Sequence, residues 1–170
     1  CNMNKEKIAF IPRQYLAVIA VLLAIMMSVL DGTIMNIALP TLAHDFDVTP
    51  STAIWIVNAY QLVITMTLLS FASLGDIYGY RRIFLIGISI FVGASLACTL
   101  STSFWMLTAA RVIQGFGAAC VMSVNTALIR LIYPPQILGR GMGVNAMVVA
   151  VSAAAGPSIA GSILALGSWH

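Results

Sequence analysis

The most informative stretch of this 170-residue chain is QYLAVIAVLLAIMMSVLDGTIMNIALP, residues 14–40. Gln14 to Leu30 are 17 residues without a charge, and after Asp31 the sequence is uncharged again as far as Ala43. A helix needs about 20 mostly apolar residues to cross a bilayer. The stretch therefore predicts a transmembrane helix, over about residues 15–39, that carries a carboxylate in its interior.

The composition of the chain is typical of a membrane protein. It is 61% hydrophobic and 8% charged, whereas soluble domains carry about 25% charged residues. The sequence pI is 9.0, but all basic residues except one lie between the apolar segments, so no nucleic-acid partner is expected. The cysteines and histidines are scattered, which predicts no metal site, no disulfide framework and no cofactor. These residues are Cys1, Cys98, Cys120, His44 and His170.

Five segments are long and apolar enough to span a bilayer, and the basic residues predict their orientation. Seven of the eight Lys and Arg residues fall in the N-terminal tail or in the second and fourth connections. The first and third connections carry none, and cytoplasmic loops are enriched in these residues. We therefore predict an all-α integral membrane protein with a cytoplasmic tail at 1–14 and a partial transmembrane domain at 15–170. The predicted helices cover about residues 15–39, 53–74, 83–100, 104–132 and 141–167.

The stretch LTAARVIQGFGAA, residues 107–119, places Arg111 inside the fourth predicted helix. Arginines within a bilayer are rare and usually face a cavity or an acidic partner. The alternative is a side chain that snorkels to the interface. At about 1.5 Å per residue, Asp31 lies about 12 Å and Arg111 about 10 Å from the outer ends of their predicted helices. We therefore expect the two charges to lie at similar depth, to face a central cavity and to be coupled, directly or through water.

A static helix cap is the alternative role for the aspartate. In that interpretation Asp31 or Thr33 bonds to nearby backbone and stabilises a bend at Gly32. In the coupled interpretation, protonation of Asp31 cancels its charge and loosens its hold on Arg111. The sequence leaves both interpretations open.

A second motif, SLGDIYGYRR at residues 73–82, joins the second and third predicted helices on the cytoplasmic side. Gly75 and Gly79 permit a tight reversal of the chain. Asp76 can accept hydrogen bonds from nearby arginines or from a helix N-terminus. The alternative interpretation is an ordinary basic loop of a membrane protein.

A third motif, VSAAAGPSIAGS at residues 151–162, places Gly156 and Pro157 inside the fifth predicted helix. Proline removes a helix hydrogen bond and tends to kink the helix. The small residues around it allow close contact between backbones. We expect a kinked helix packed against a helix outside this chain, with a plain small-residue packing helix as the alternative.

Together and in this order, the motifs resemble the major facilitator superfamily. Residues 30–40 resemble the first-helix signature of its fourteen-helix drug:proton antiporter branch, the EmrB/QacA type. The resemblance covers about residues 15–170. The matching positions are Leu74, Asp76, Gly79 and Arg81 in the loop, with Arg82 beside them; Arg111, Gln114 and Gly115 in the fourth helix; and Gly143, Gly156, Pro157 and Gly161 in the fifth.

The sequence departs from these signatures at a few positions. The loop signature is not matched at three positions, Ala72, Ile77 and Tyr80. We therefore expect fewer charged side chains to interact with one another inside that loop. In the fifth helix, Ser152 and Ala160 stand where the signature has glycine. The fourth-helix signature is matched fully.

The resemblance implies a secondary transporter in a bacterial inner membrane. Protons would enter while small organic compounds, cationic or lipophilic, leave, with Asp31 and Arg111 as the proton-coupling pair. The loop at 73–82 would control conformation, and the fifth-helix motif would mark antiport. Because the sequence stops as the fifth helix leaves the bilayer, we expect an N-terminal fragment that does not transport alone.

Two alternatives to the antiporter stay open, and an enzyme is not expected. One alternative is a superfamily symporter or uniporter for a nutrient, and the other is a non-transporting membrane subunit. An aspartyl protease would need Asp31 and Asp76 in one site. Asp31 lies about 24 Å along its helix from the inner end, whereas Asp76 lies at the cytoplasmic edge.

Overall fold

The computed structural model describes residues 3–133 and 135–166, with side chains over residues 16–133 and 135–162. Five helices contain segments long and apolar enough to cross a membrane. The predicted all-α membrane fold is therefore confirmed. The helices are α1 (Met3–Asp45), α2 (Pro50–Tyr78), α3 (Tyr80–Thr99), α4 (Phe104–Ile132) and α5 (Leu138–Leu166), and a 3₁₀ turn at Pro135–Ile137 precedes α5.

Helix α1 is longer than predicted at both ends. It starts at Met3, so the predicted tail is largely helical, and it continues through Pro40 to Asp45 instead of ending before the proline. Proline forfeits one backbone hydrogen bond, but membrane helices tolerate that loss. Beyond the proline, Leu42 is buried in an apolar cluster with Ile56 of α2. This packing holds the last turns of α1 in place.

The connection between α2 and α3 is a single residue, whereas the sequence predicted a loop over residues 75–82. Helix α2 continues to Tyr78 and α3 begins at Tyr80. Gly79 between them has a φ of 91°. Glycine adopts this backbone region without steric cost, so one residue is enough to redirect the chain.

The remaining helix ends lie close to their predicted positions. Helix α4 covers residues 104–132, as predicted. Helix α2 starts three residues earlier than predicted, because the Thr49 hydroxyl accepts a hydrogen bond from the Thr52 amide at 3.3 Å and Pro50 fits the first helical position. Helix α5 starts at residue 138, and its predicted end at 167 lies outside the described residues.

Helix α4 is the centre of the described bundle, and its glycines make that position possible. A Cβ atom on Gly115 would lie 3.1 Å from the backbone oxygen of Tyr60 in α2. A Cβ atom on Gly117 would lie 2.6 Å from the backbone nitrogen of Phe91 in α3. Small residues allow helix backbones to approach closely in membranes. The two glycines therefore let α2 and α3 pack directly against α4.

Helix α5 packs on α1 through the third motif. A Cβ atom on Gly156 would lie 2.6 Å from the Cβ atom of Thr33. Within the described residues, the close partner of Gly156 is therefore α1, and packing of α5 against a helix outside this chain stays a prediction. Pro157 is exposed and α5 continues through it, while Gly143 and Gly161 face open space.

The outward faces of the helices are strongly apolar. Leu69 is 79% exposed, Trp105 is 77% exposed and Met66 is 73% exposed. Large exposed apolar surfaces are unfavourable in water and mark contact with lipid or protein. These faces therefore agree with the five predicted spans.

Candidate functional site

The two charges expected inside the membrane spans are in direct contact. Arg111 Nη1 of α4 donates a hydrogen bond to Asp31 Oδ2 of α1 at 2.7 Å. The Arg111 side chain is 1% exposed and the Asp31 side chain is 22% exposed. The predicted contact is confirmed, and a snorkelling arginine is excluded because the guanidinium is enclosed by protein.

Gln114 closes a triangle of hydrogen bonds with this ion pair. Its Nε2 atom donates to Asp31 Oδ1 at 3.0 Å, and its Oε1 atom accepts from Arg111 Nη1 at 2.7 Å. Residues three apart on a helix share a face, so α4 presents Arg111 and Gln114 side by side. The motif match pointed to Gln114, but no feature of the sequence showed that it bonds to both charges.

Two further side chains complete the surroundings of the triangle. The ring of Tyr60 from α2 lies against the guanidinium, with 4.3 Å between Arg111 Cζ and the ring centroid. Such a cation–π contact fixes the plane of the guanidinium. The Cys98 thiol of α3 donates to Gln114 Oε1 at 3.6 Å. Sequence reasoning missed Tyr60 and assigned no role in the site to Cys98, because neither belongs to a recognisable motif.

The distance of Asp31 from the end of α1 differs from the expectation. Since α1 ends at Asp45, Asp31 lies 14 residues from the helix end, or about 21 Å rather than 12 Å. Asp31 is thus close to the middle of the span Leu16–Asp45. The earlier figure was wrong because it took Pro40 as the end of the helix.

The helix-cap interpretation holds for a neighbour of Asp31 but not for Asp31 itself. The Thr33 hydroxyl donates to the backbone oxygens of Val29 at 3.0 Å and Leu30 at 2.9 Å. Both oxygens of Asp31 instead accept bonds from α4. The carboxylate therefore joins two helices.

A cavity of about 250 Å³ lies beside the ion pair, between α1, α2 and α4. Polar side chains from all three helices face it, and Arg111 forms part of its wall, whereas Asp31 is not among its lining residues. A cavity with a few convergent polar groups is typical of a binding site for a small molecule. The polar lining residues are Ser28, Thr33, Asn36, Tyr60, Gln61 and Arg111.

One edge of the arginine carries no hydrogen bond. Arg111 Nε and Nη2 are buried without a partner among the described residues. A buried donor without a partner costs about 1–3 kcal/mol. Among the described residues, the hydrogen bonds of the guanidinium thus all come from Nη1, to Asp31 and Gln114, and the Tyr60 ring lies against its face.

The cytoplasmic motif is arranged differently from the expectation. Asp76 is exposed and accepts a hydrogen bond from the Tyr80 hydroxyl one turn further along the chain. Arg81 and Arg82 are exposed, and over the described residues no ion pair joins them to Asp76. The expected arginine partners of Asp76 are therefore wrong. At this end of α2 water solvates the charges, so protein partners are not required.

Two residues of that motif have a packing role. Leu74 packs against the apolar cluster that contains Val124 of α4. A Cβ atom on Gly75 would lie 2.9 Å from Val124 Cγ1. The motif thus fixes the end of α2 on α4 and leaves its charged side chains in solvent.

Comparisons with known proteins agree with this architecture. The Major Facilitator Superfamily matches residues 21–170. The uncharacterized transporter YebQ of Escherichia coli (strain K12) is 58% identical over 159 residues, which are 94% of this chain and 35% of that protein. The riboflavin transporter RibZ of Clostridioides difficile (strain 630) is 35% identical over 92% of this chain and 34% of that protein.

A drug-resistance protein is similar to the same part of the chain. The multidrug resistance protein Stp of Mycobacterium tuberculosis (strain CDC 1551 / Oshkosh) is 36% identical over 92% of this chain and 29% of that protein. The chain spans about a third of the length of the curated relatives that it matches. Since the superfamily matches most of its residues, the chain belongs to the Major Facilitator Superfamily of membrane transporters.

Proposed function

We propose that the full-length protein exports small organic compounds in exchange for protons, and that Asp31 carries the proton. The observation that supports this most strongly is the placement of one carboxylate inside a membrane span. Its two oxygens accept bonds from Arg111 and Gln114, and Arg111 lines a polar cavity between α1, α2 and α4. Ionisable residues within membranes commonly serve proton or substrate pathways.

The contacts of the ion pair suggest how proton and substrate exchange. A proton on Asp31 cancels the negative charge that holds Arg111. Protonation therefore loosens the bond from Arg111 Nη1 to Asp31, and among the described residues Nη1 is the only guanidinium nitrogen with a hydrogen-bond partner. A cationic or lipophilic compound that enters the cavity then binds with different affinity to the protein with Asp31 ionised and to the protein with Asp31 protonated. Differential affinity for two conformations is what couples binding to movement.

Within the superfamily, we propose that the protein belongs to the fourteen-helix drug:proton antiporter branch. It is supported by LDGTIMNIALP at residues 30–40 and by the matched positions of the fifth-helix motif. Relatives named as a multidrug resistance protein and as the drug efflux pump JefA of Mycobacterium tuberculosis agree with export of drugs. In this proposal the residues Leu74, Asp76, Gly79, Arg81 and Arg82 control conformation.

We further propose a bacterial inner-membrane location with the N-terminus in the cytoplasm. The support is that seven basic residues lie in the N-terminal tail and in the second and fourth connections, and none lies in the first and third. Single cysteines introduced as Thr49→Cys and Gln136→Cys, in a background without native cysteines, should differ in labelling by an impermeant maleimide on intact cells. Thr49→Cys should label and Gln136→Cys should not. Equal labelling of the two would contradict the orientation.

One relative favours a second candidate function, which is movement of a nutrient. RibZ is named as a riboflavin transporter and is 35% identical to this chain. Transport assays in vesicles distinguish the candidates. Export of substrate against an inward flow of protons supports the antiporter, whereas accumulation of riboflavin on the side to which protons flow supports a nutrient symporter.

The test of the proposed function is Asp31→Asn in the full-length protein. Asparagine keeps the size and hydrogen bonding of the side chain but cannot titrate. Efflux of tetraphenylphosphonium driven by a proton gradient should fall sharply, and its dependence on pH should flatten. Asp47→Asn is the matched control, because Asp47 is exposed and its φ of 51° suits asparagine. Efflux by Asp31→Asn with an unchanged pH profile would reject Asp31 as the proton site.

A further inference from the structure

Gln114 touches both members of the ion pair with opposite ends of one amide group. Its nitrogen donates to Asp31 Oδ1, and its oxygen accepts from Arg111 Nη1. Gln114 is 0% exposed, so water does not compete for either end. The amide therefore has a direction, with its donor toward the carboxylate and its acceptor toward the guanidinium.

This direction suits only the ionised form of Asp31. A carboxylate accepts hydrogen bonds only, and both of its donors are in place. A protonated Asp31 carries an O–H group that must find an acceptor. Its two neighbours present N–H groups, so the new hydrogen faces a donor on either oxygen. Turning the Gln114 amide over by about 180° places Oε1 against Asp31 and removes the conflict.

The same turn removes the acceptor of Arg111. The amide nitrogen then faces Arg111 Nη1, and arginine has no acceptor atom. Arg111 would then lose its bond to Gln114 and keep only the bond to Oδ2 of Asp31, which is weaker once Asp31 is neutral, while its Nε and Nη2 atoms have no partner among the described residues. Cys98 permits either direction, because a thiol is both a weak donor and a weak acceptor.

We propose that Gln114 is the positioning residue that transmits the protonation of Asp31 to Arg111 by turning over its side-chain amide. This inference rests on the proposed function of Asp31 as the proton site. The proton itself comes from the medium and ends on Oδ1 of Asp31, the oxygen that faces Gln114. No other covalent bond changes. The consequence is that proton uptake affects both hydrogen bonds of Arg111 Nη1, because the bond to Gln114 is lost and the bond to Asp31 is weakened.

The test uses infrared difference spectra of the full-length protein between acidic and alkaline pH. A carboxyl C=O band that is absent in Asp31→Asn should report titration of Asp31. An amide C=O band that is absent in Gln114→Leu should report the turn of Gln114. Gln136→Leu, at an exposed position of the turn before α5, is the control and should keep both bands.

The pH profile of efflux provides the second readout. Gln114→Leu removes a donor that stabilises the ionised carboxylate, so protonation becomes easier and the midpoint of the profile should move to higher pH by about one unit. Cys98→Ser keeps a group that donates and accepts, and its profile should stay near that of the wild type. Cys98→Val lacks such a group, and its shift should be smaller than that of Gln114→Leu.

The results separate this inference from the proposed function. A carboxyl band from Asp31 without an amide band from Gln114 would overturn the inference and leave Asp31 as the proton site. An unchanged pH profile in Gln114→Leu would overturn it as well. Absence of the Asp31 band in the wild type would reject the proposed function and the inference together.

Discussion

Two aspartates of this chain match superfamily motifs, and the structure gives them opposite surroundings. Asp31 lies within a membrane span and accepts hydrogen bonds from Arg111 and Gln114. Asp76 lies at the end of α2, is exposed, and accepts from the Tyr80 hydroxyl. A charge inside a bilayer needs a protein partner, whereas water solvates a charge at the membrane edge.

The difference shows what a motif match leaves open. Both motifs place an aspartate at a recognisable position, yet only one of the two carboxylates joins separate helices. Removing a partner of Asp31 should therefore affect folding and transport together. Removing the charge of Asp76 should affect the rate of transport and leave the folded state intact. The experiments below test this contrast, beginning with the largest expected effect.

Arg111→Leu should have the largest effect on the folded state. Arg111 is 1% exposed, and its loss leaves Asp31 without its charged partner. Breaking a buried ion pair on one side costs about 3–5 kcal/mol. Thermal unfolding of the full-length protein in detergent, followed by size-exclusion chromatography, measures the loss. Arg130→Leu is the control, because Arg130 is exposed near the end of the same helix.

The double variant Asp31→Leu with Arg111→Leu sharpens this result. Replacing both members of a buried ion pair by apolar residues is often neutral or stabilising. We expect the double variant to recover most of the lost thermal stability but to show no proton-driven efflux. A double variant as unstable as Arg111→Leu would mean that packing, rather than the unpaired charge, caused the loss.

Gly156→Leu should have an intermediate effect, because it disturbs α1 two residues from Asp31. A Cβ atom at Gly156 would overlap Thr33 of α1, so α5 must move away. Overpacking of a close contact costs about 1–3 kcal/mol. Gly161→Leu adds the same side chain to the same helix where a Cβ atom meets open space. Equal melting temperatures of the two variants in detergent would show that the contact between α1 and α5 is not tight.

Asp76→Asn should have the smallest effect on structure. We expect slower turnover with nearly unchanged equilibrium binding of tetraphenylphosphonium and an unchanged melting temperature. Tyr80→Phe removes the hydroxyl that bonds to Asp76 and keeps the charge. If the charge controls the loop, Tyr80→Phe should turn over at the wild-type rate. A large loss of binding affinity in Asp76→Asn would contradict a purely conformational role.

Much of the fold follows from the sequence alone. Apolar length fixed the number of spans, and the helical bounds at 104–132 were predicted as found. The end of α1 was missed because Pro40 is a local signal, whereas the burial of Leu42 against α2 and α4 is a tertiary one. The length of the connection predicted at 75–82 was overestimated because a single glycine, Gly79, is enough to separate two helices.

The site was predictable only in part. Asp31 and Arg111 stood out because charges are rare in apolar segments, and their distances along the helices suggested contact. The roles of Tyr60 and Cys98 were not visible, because α2 and α3 bring them to the pair through packing. The partners of Asp76 were mistaken because proximity in sequence to Arg81 does not require contact when both side chains are exposed.

The most direct test of the central claim, that Asp31 carries the exchanged proton, is to count the protons released when a substrate binds. Tetraphenylphosphonium is added to the full-length protein in lightly buffered detergent, with binding measured in parallel by equilibrium dialysis. The account predicts that the wild type and Asp47→Asn release protons on binding, and that Asp31→Asn releases none. Equal release per bound ligand from Asp31→Asn and the wild type would contradict it.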